Sequence, residues 1–317
     1  MKKALIQLHA AVLLWGFTGV LGKLISLDAP VLVWYRMALT AVIILGILLA
    51  NKRWMRVPGK DALRLTVIGG LMAAHWIAFY AAIKYANASI ALVCLSTSSI
   101  FTSLLDPLVN KTRYNSRELA LGCLALLGMY LIYHFQQLYV IGIVLGVIAA
   151  LLSSVFTILN KRIADRYPSG TMVFYEMTTG FAIISLLLPL VYYYTPGLQL
   201  LPRQDSFSRI GSDFPGSLLT GHHDWVWLLF LALCCTVWAQ TLALNALKKL
   251  SSFTITLTVN MEPVYGILLA VLIFREDKEL NLGFFAGMGL ICLSVVLQML
   301  SLLTEGRRAR KAAAAGR

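Results

Sequence analysis

The feature that most constrains this chain is a recurring run of about 20 residues with almost no charge. At about 1.5 Å per residue, each run is long enough to cross the roughly 30 Å hydrocarbon core of a bilayer. The stretch 31–50 carries Arg36 as its single charge, and 140–159 carries none. Hydrophobic residues make up 59% of the chain and charged ones 13%, against roughly 25% charge in soluble domains. A water-exposed surface cannot be built from this material.

Inside lipid every backbone N–H and C=O must find its partner within the protein. Continuous apolar runs therefore become helices, and they lack the alternation that a barrel strand requires. The predicted fold is an all-α membrane protein with ten transmembrane helices: Leu5–Leu24, Val31–Ala50, Leu65–Ile83, Ala88–Leu108, Leu119–Tyr133, Val140–Leu159, Met172–Tyr194, Trp225–Leu247, Ser252–Phe274 and Leu282–Leu303. Met1-Lys2-Lys3 before the first run resembles the start of a signal peptide, but no small-residue cleavage pattern follows, so the run is expected to be a retained helix.

The net charge of +13 would suggest nucleic acid in a soluble protein. Here the basic residues sit in short connections, around 52–64, 111–117, 161–166, 248–249 and 307–317, all on one side of the predicted topology. The exceptions are Lys23, Arg36, Lys84, Arg203, Arg209, Arg275 and Lys278. This bias predicts a multi-pass protein of the cell (inner or plasma) membrane with both termini cytoplasmic and no nucleic-acid partner.

The one long connection, residues 195–224, is rich in Pro, Gly, Ser and Asp and reads as an irregular outer loop. Its Gly221-His222-His223-Asp224 is read as solvated loop rather than as a metal site. Residues 305–317 form a basic tail suited to anionic lipid. Cys94, Cys123, Cys234, Cys235 and Cys292 all lie in apolar runs and read as packing residues.

The two halves of the chain resemble each other. Lys23, Pro30 and Tyr35-Arg36-Met37 recur as Lys161, Pro168 and Tyr175-Glu176-Met177, at offsets of 138 and 140. Ala82-Ile83-Lys84 recurs as Ala246-Leu247-Lys248 at offset 164, and Leu119 with Gly122 as Leu280 with Gly283 at offset 161. The growth in offset falls across the long outer loop. Each repeat holds five helices, residues 1–135 and 136–304, and an odd number makes the second copy enter the membrane from the opposite side. Inverted repeats of this kind characterise secondary transporters, although a purely structural duplication has the same pattern.

Trp15-Gly16 followed by Lys23, Pro30 and Arg36, together with Glu262-Pro263-Val264-Tyr265 through Glu276, Leu280 and Gly283, resembles the EamA-type branch of the drug/metabolite transporter superfamily. The resemblance spans nearly the whole chain. It implies a ten-helix bundle with a central cavity, alternating access, and efflux of amino acids, related metabolites or toxic analogues. The first repeat departs from the pattern, with Ser99 where the second has Pro263, so the break in the fourth helix is expected at Pro107.

Polar residues within the spans are the candidates for a substrate site. A charged side chain at the bilayer centre costs about 2.5 to 3.5 kcal/mol on insertion scales, so each needs a cavity, a partner or a proton. Glu262 lies midway along the ninth span; Thr254, Thr258 and Glu262 step by four along one face, with Thr256 and Asn260 beside them. In the fourth span Ser96, Ser99 and Ser103 form a stripe expected to face the ninth. His75, Trp76 and Tyr80 in the third span, and Trp238, Gln240 and Asn245 in the eighth, complete the polar inventory. Each also has a plain structural reading: interhelical hydrogen bonding for the Ser and Thr residues, aromatic packing for the Trp pair, a satisfied buried histidine for His75.

Arg36 either meets a substrate carboxylate or outer-gate acid, or anchors at the interface with its stem along the helix. On resemblance and helical phase, Trp15, Thr18 and Tyr265 join the expected cavity wall. Glu262 and His75 are the candidate proton carriers, His75 because imidazole titrates near neutral pH. Gly142 and Gly146, like Gly283 and Gly287, are spaced for close helix approach, within one chain or in a weak homodimer.

No P-loop, HExxH, GxSxG or dinucleotide fingerprint is present, so neither an enzyme nor ATP, a cofactor or a bound metal is expected. The expected activity is non-ATP export of a small organic metabolite, such as an amino acid or related compound, either coupled to protons or facilitative. The alternatives are a nucleotide-sugar or sugar-phosphate carrier of the same superfamily, which calls for several cavity cations, or an intramembrane lipid-modifying enzyme.

Overall fold

Long apolar runs without internal breakers form long helices, and the computed structural model is built from little else. It describes residues 2–52, 54–86, 88–132, 139–203, 223–262, 264–266 and 282–315, and among them there is no strand. The helices are α1 (Lys2–Leu24), α2 (Ala29–Ala50), α3 (Gly59–Tyr85), α4 (Ala88–Ser96), α5 (Ser98–Asn110), α6 (Ser116–Ile132), α7 (Val140–Ile163) and α8 (Ser169–Tyr194). Then come α9 (Asp224–Ala232), a π-helical stretch Leu233–Trp238, α10 (Ala239–Leu247), α11 (Ser252–Val259) and α12 (Leu282–Ala315).

Eight helical stretches among the described residues are long and apolar enough to cross a membrane: α1, α2, α3, α4 with α5, α7, α8, α9 with α10, and α12. The expected fifth span is α6, only 17 residues long. The expected ninth begins as α11; Pro263, residues 267–274, Glu276 and Leu280 lie outside the described residues, as do 204–222 of the expected outer loop. The last helix was expected to end at Leu303 but runs to Ala315, because the alanine-rich basic tail favours helix.

The fourth span is interrupted at Thr97, not at Pro107. The Thr97 hydroxyl and N–H both bond the Cys94 carbonyl, at 2.6 and 3.1 Å, a local alternative that competes with the helical ladder. Pro107 instead sits inside α5, one turn from the left-handed Lys111 that ends it. Asn260 and Met261 make a comparable turn after α11, and α5 and α11 pack together.

Close approach is secured by glycines. Gly142 and Gly146 of α7 lie against Ala86 and Cys94, so this pair packs within the chain. Gly128 of α6 lies against α12, where an added Cβ would stand 2.6 Å from the Gly287 carbonyl oxygen.

Two sets of polar tethers tie the ends of the bundle. At the end holding the α1–α2 turn, Ser26 donates to Asp224 from its N–H at 2.9 Å and its hydroxyl at 2.6 Å. Arg203 N–H donates to the same carboxylate at 2.7 Å, and Lys84 Nζ donates to the Leu27 carbonyl. At the opposite end Lys248 Nζ donates to the Tyr167 carbonyl at 2.8 Å and Lys161 Nζ to that of Leu247 at 2.6 Å. Tyr167 Oη donates to Asp61 Oδ2 at 2.7 Å, and that hydrogen bond pushes the phenol above the ordinary tyrosine range.

Gly128→Ala is expected to destabilise the protein by about 1 to 3 kcal/mol, since backbone must move to admit the methyl. Gly46→Ala in α2, with nothing within 4 Å of the added carbon, should be stabilising by about 0.5 to 1 kcal/mol. Thermal unfolding in detergent compares the two.

Candidate functional site: a polar cavity around Arg36

Where α1, α2, α3, α4, α7, α10 and α11 converge they leave a cavity with ≈ 800 Å³ of empty space, part of it open. Its polar lining is Thr18, Arg36, His75, Ser153, Thr157, Asn160, Gln240, Thr256 and Glu262; its aromatic lining is Trp15, Trp76, Phe79 and Phe156.

Arg36 is 2% exposed, so it is no interfacial anchor. The π-helical stretch builds its seat: Nε donates to Thr236 Oγ1 at 2.9 Å and Nη2 to the Cys235 carbonyl at 3.4 Å. A π-turn advances by five residues instead of four and disturbs the backbone ladder; Cys235 O also receives Trp15 Nε1 at 3.1 Å. Nη1 donates to Tyr80 Oη at 3.1 Å, and the guanidinium carbon stands 3.7 Å from the Trp76 ring centroid. These partners are neutral. A guanidinium has five N–H donors, so the named bonds leave some of them for a ligand.

Glu262, 6% exposed, stands on the same cavity and within electrostatic range of Arg36. Thr18 Oγ1 lies 2.9 Å from Glu262 Oε1 and 2.6 Å from the Trp15 carbonyl oxygen. One hydroxyl hydrogen serves one acceptor at a time. The pairing depends on Gly16, whose position against Gly266 lets α1 approach the ninth-span segment; a Cβ there would be 3.1 Å from Gly266 N. His75 is held by Nδ1 donating to the Ala149 carbonyl at 2.7 Å, which orients the ring between Phe79 and Phe156.

The other residues expected at the site stand elsewhere. Tyr80 backs Arg36 from behind the lining. Ser96 and Ser99 are buried between α4, α5 and α11, where Asn260 Nδ2 donates to Ser99 Oγ at 3.4 Å. Thr258 bonds the Thr254 carbonyl at 2.7 Å within its own helix, and the Asn260 turn takes Glu262 out of phase with both. Asn245 accepts from Ser169 Oγ at 2.7 Å, away from the cavity. Tyr265 Oη pairs with His9 Nδ1 at 2.7 Å. Trp238, at the end of the π-helical stretch, is 53% exposed on the outside of the bundle.

The sequence reading passed over α7. Ser153, Thr157 and Asn160 are spaced by four and three, which sets them on one face of α7, and that face lines the cavity. Behind Asn160 lies Glu176 of α8, fully buried. Neither Glu176 oxygen nor Asn160 Oδ1 has a hydrogen-bond partner among the described residues. Among them no three His, Cys, Asp or Glu side chains gather as a metal site.

A bundle of membrane-length helices around a buried polar cavity has the architecture of a membrane transport protein. The chain belongs to the EamA-like transporter family, whose model matches residues 2–134 and again 140–300. A curated relative from Archaeoglobus fulgidus, described as an uncharacterized transporter, is 23% identical over 297 residues, covering 91% of this chain and 93% of that one. Another so described, from Clostridium kluyveri, is 24% identical over 208 residues, 63% of this chain and 60% of its own. A solved crystal structure of a protein superposes with a TM-score of 0.71 at 17% identity over 95% of this chain and 97% of that one, which shows a shared fold. The protein is therefore a multi-pass membrane transporter.

A buried carboxylate with no hydrogen bond on either oxygen among the described residues is costly to keep charged. Glu176→Gln supplies an amide donor at the same size, so its unfolding temperature is expected to equal or exceed that of the parent. Asn160→Leu, which removes the polar neighbour of a buried acid, should lower stability by about 1 to 3 kcal/mol.

Proposed function

We propose that this protein is a secondary transporter that moves a small carboxylate-bearing metabolite, an amino acid or a related compound, across the inner membrane by alternating access. Arg36 carries the reading: a buried guanidinium held by neutral groups on an aromatic-lined cavity, with donors left over, is suited to one carboxylate. Glu262 on the same lining offers the complementary charge for an ammonium group. Arg36 is the sole buried Lys or Arg among the described residues. A phosphate or nucleotide-sugar carrier calls for several such cations.

Ten spans in two inverted five-helix repeats, with both termini cytoplasmic, are the topology that goes with this mechanism. Its support is a pair of related contacts at opposite ends of the bundle. Lys84 donates to the carbonyl of Leu27, and Lys248 to that of Tyr167. The lysines are 164 apart and the carbonyls 140 apart, the same offsets by which the two halves register. Export as the direction, and protons as the driving ion, follow from the family resemblance and from Glu262. While the Thr18 hydroxyl serves Trp15, Glu262 bonds to it only by donating a proton of its own.

Purified protein in liposomes is expected to take up labelled amino acids without ATP, and Arg36→Met should lower uptake at least tenfold, a loss of about 1.4 kcal/mol or more of binding. Glu262→Gln should lose the response to an imposed pH gradient. Unchanged pH response in both Glu262→Gln and His75→Ala would remove these residues from the coupling. ATP-dependent uptake would reject the mechanism.

A cysteine at Gln240 in a cysteine-free background reports which end is open. Lys248→Met is expected to raise its labelling by an impermeant thiol reagent from the α7–α8 side, and Lys84→Met from the α1–α2 side.

A further inference from the structure

A second concavity lies on the flank of the bundle, and it shares no lining residue with the Arg36 cavity. α3 and α7 pack along their length, and where α3 begins and α7 ends they leave a groove with ≈ 770 Å³ of space, open on one side. Arg64, Arg162 and Arg166 edge it; Leu63, Val67, Ile68, Leu159 and Ile163 form its floor and walls.

The charge of the groove is unbalanced. Asp61 is the acid that pairs there, with Arg64 Nη1 at 2.7 Å and with Arg166 Nη1 at 3.3 Å. It also accepts from Tyr167 Oη at 2.7 Å, so its oxygens are already shared by three donors. Arg162 is exposed and engages none of the described acceptors. Arg64 and Arg166 keep side-chain exposures of 57% and 55%, and each uses one nitrogen on Asp61.

The walls are unbalanced in the other sense. Leu63 is 65% exposed and Val67 50% exposed, on a face that water would not favour. Arg64 lies in the second turn of α3 and Arg162 one residue from the end of α7. Both guanidiniums therefore stand where membrane-spanning helices meet the headgroup layer, with the apolar wall continuing toward the hydrocarbon.

We infer that this groove binds an anionic phospholipid, its phosphate on Arg162 and the free N–H groups of Arg64 and Arg166, and one acyl chain along Leu63, Val67 and Leu159. A planar guanidinium fork suits a phosphate diester, and basic pockets between spanning helices are suited to acidic headgroups. Free phosphate would engage the arginines but leave the apolar wall bare, so the lipid is the occupant that uses both halves of the groove. The inference is independent of what Arg36 recognises.

The test uses the full-length, delipidated protein in a neutral detergent, with thermal unfolding as readout and three additives: phosphatidylglycerol, phosphatidylcholine and inorganic phosphate. Phosphatidylglycerol is expected to raise the unfolding temperature saturably, while the other two at equal concentration leave it in place. Arg162→Gln, which breaks no bond of the folded protein, should weaken the apparent affinity for phosphatidylglycerol at least tenfold, and Val67→Asn should weaken it as well. An equal response to phosphatidylcholine, a shift reproduced by inorganic phosphate, or an Arg162→Gln protein that titrates like the parent would each overturn the proposal.

Discussion

A guanidinium cannot be left bare in a low-dielectric interior, and the way this chain solvates Arg36 organises much of the bundle around it. Its seat draws on three helices and the π-helical stretch. The residue itself comes from α2, the aromatic plane and phenol of Trp76 and Tyr80 from α3, and the hydroxyl and carbonyl of Thr236 and Cys235 from the π-turn. Trp15 on α1 shares the Cys235 carbonyl. The cation thus fixes how four segments meet, and the cavity is the space their side chains leave. Because none of these hydrogen-bond partners carries a charge, the positive field of Arg36 reaches into the cavity, where Glu262 on the same lining lies within its range.

Glycine contacts make such convergence possible. Gly16 against Gly266 and Gly128 against Gly287 replace a side-chain layer with backbone contact, and Gly146 makes room for the Cys94 side chain. In lipid, where burial of apolar groups between helices gains little, this close packing and the polar tethers at the bundle ends hold the helices in place.

Hydropathy was enough to place the described spans, because length and lack of charge are properties of each segment alone. The resemblance of the halves and the EamA-like motifs led to the family for a similar reason, being order along the chain. Side-chain direction was harder to read. Position in the eighth span points Trp238 inward, yet the π-helical stretch that it ends changes the helical phase, and no residue type announces such a turn. A spacing of four puts Thr258 and Glu262 on one face, but the Asn260 turn intervenes. Thr97 interrupts its helix where Pro107, the stronger breaker by type, does not. Arg36 and Glu262 emerged from the sequence because charge inside a span is conspicuous; Ser153, Thr157 and Asn160 did not, because small polar groups on an apolar helix look like packing residues.

The lysine tethers at the two ends have a thermodynamic consequence. Lys84 on Leu27 O and Lys248 on Tyr167 O are the same chemical bond made twice, an ammonium on a turn carbonyl, so in any exchange between closing one end and closing the other their contributions largely subtract out. What remains is a small difference between like quantities, and a difference of about 1.4 kcal/mol already shifts a two-state population tenfold. In the alternating-access cycle proposed above, two like tethers would leave the choice of end to the smaller terms, among them a bound solute or proton.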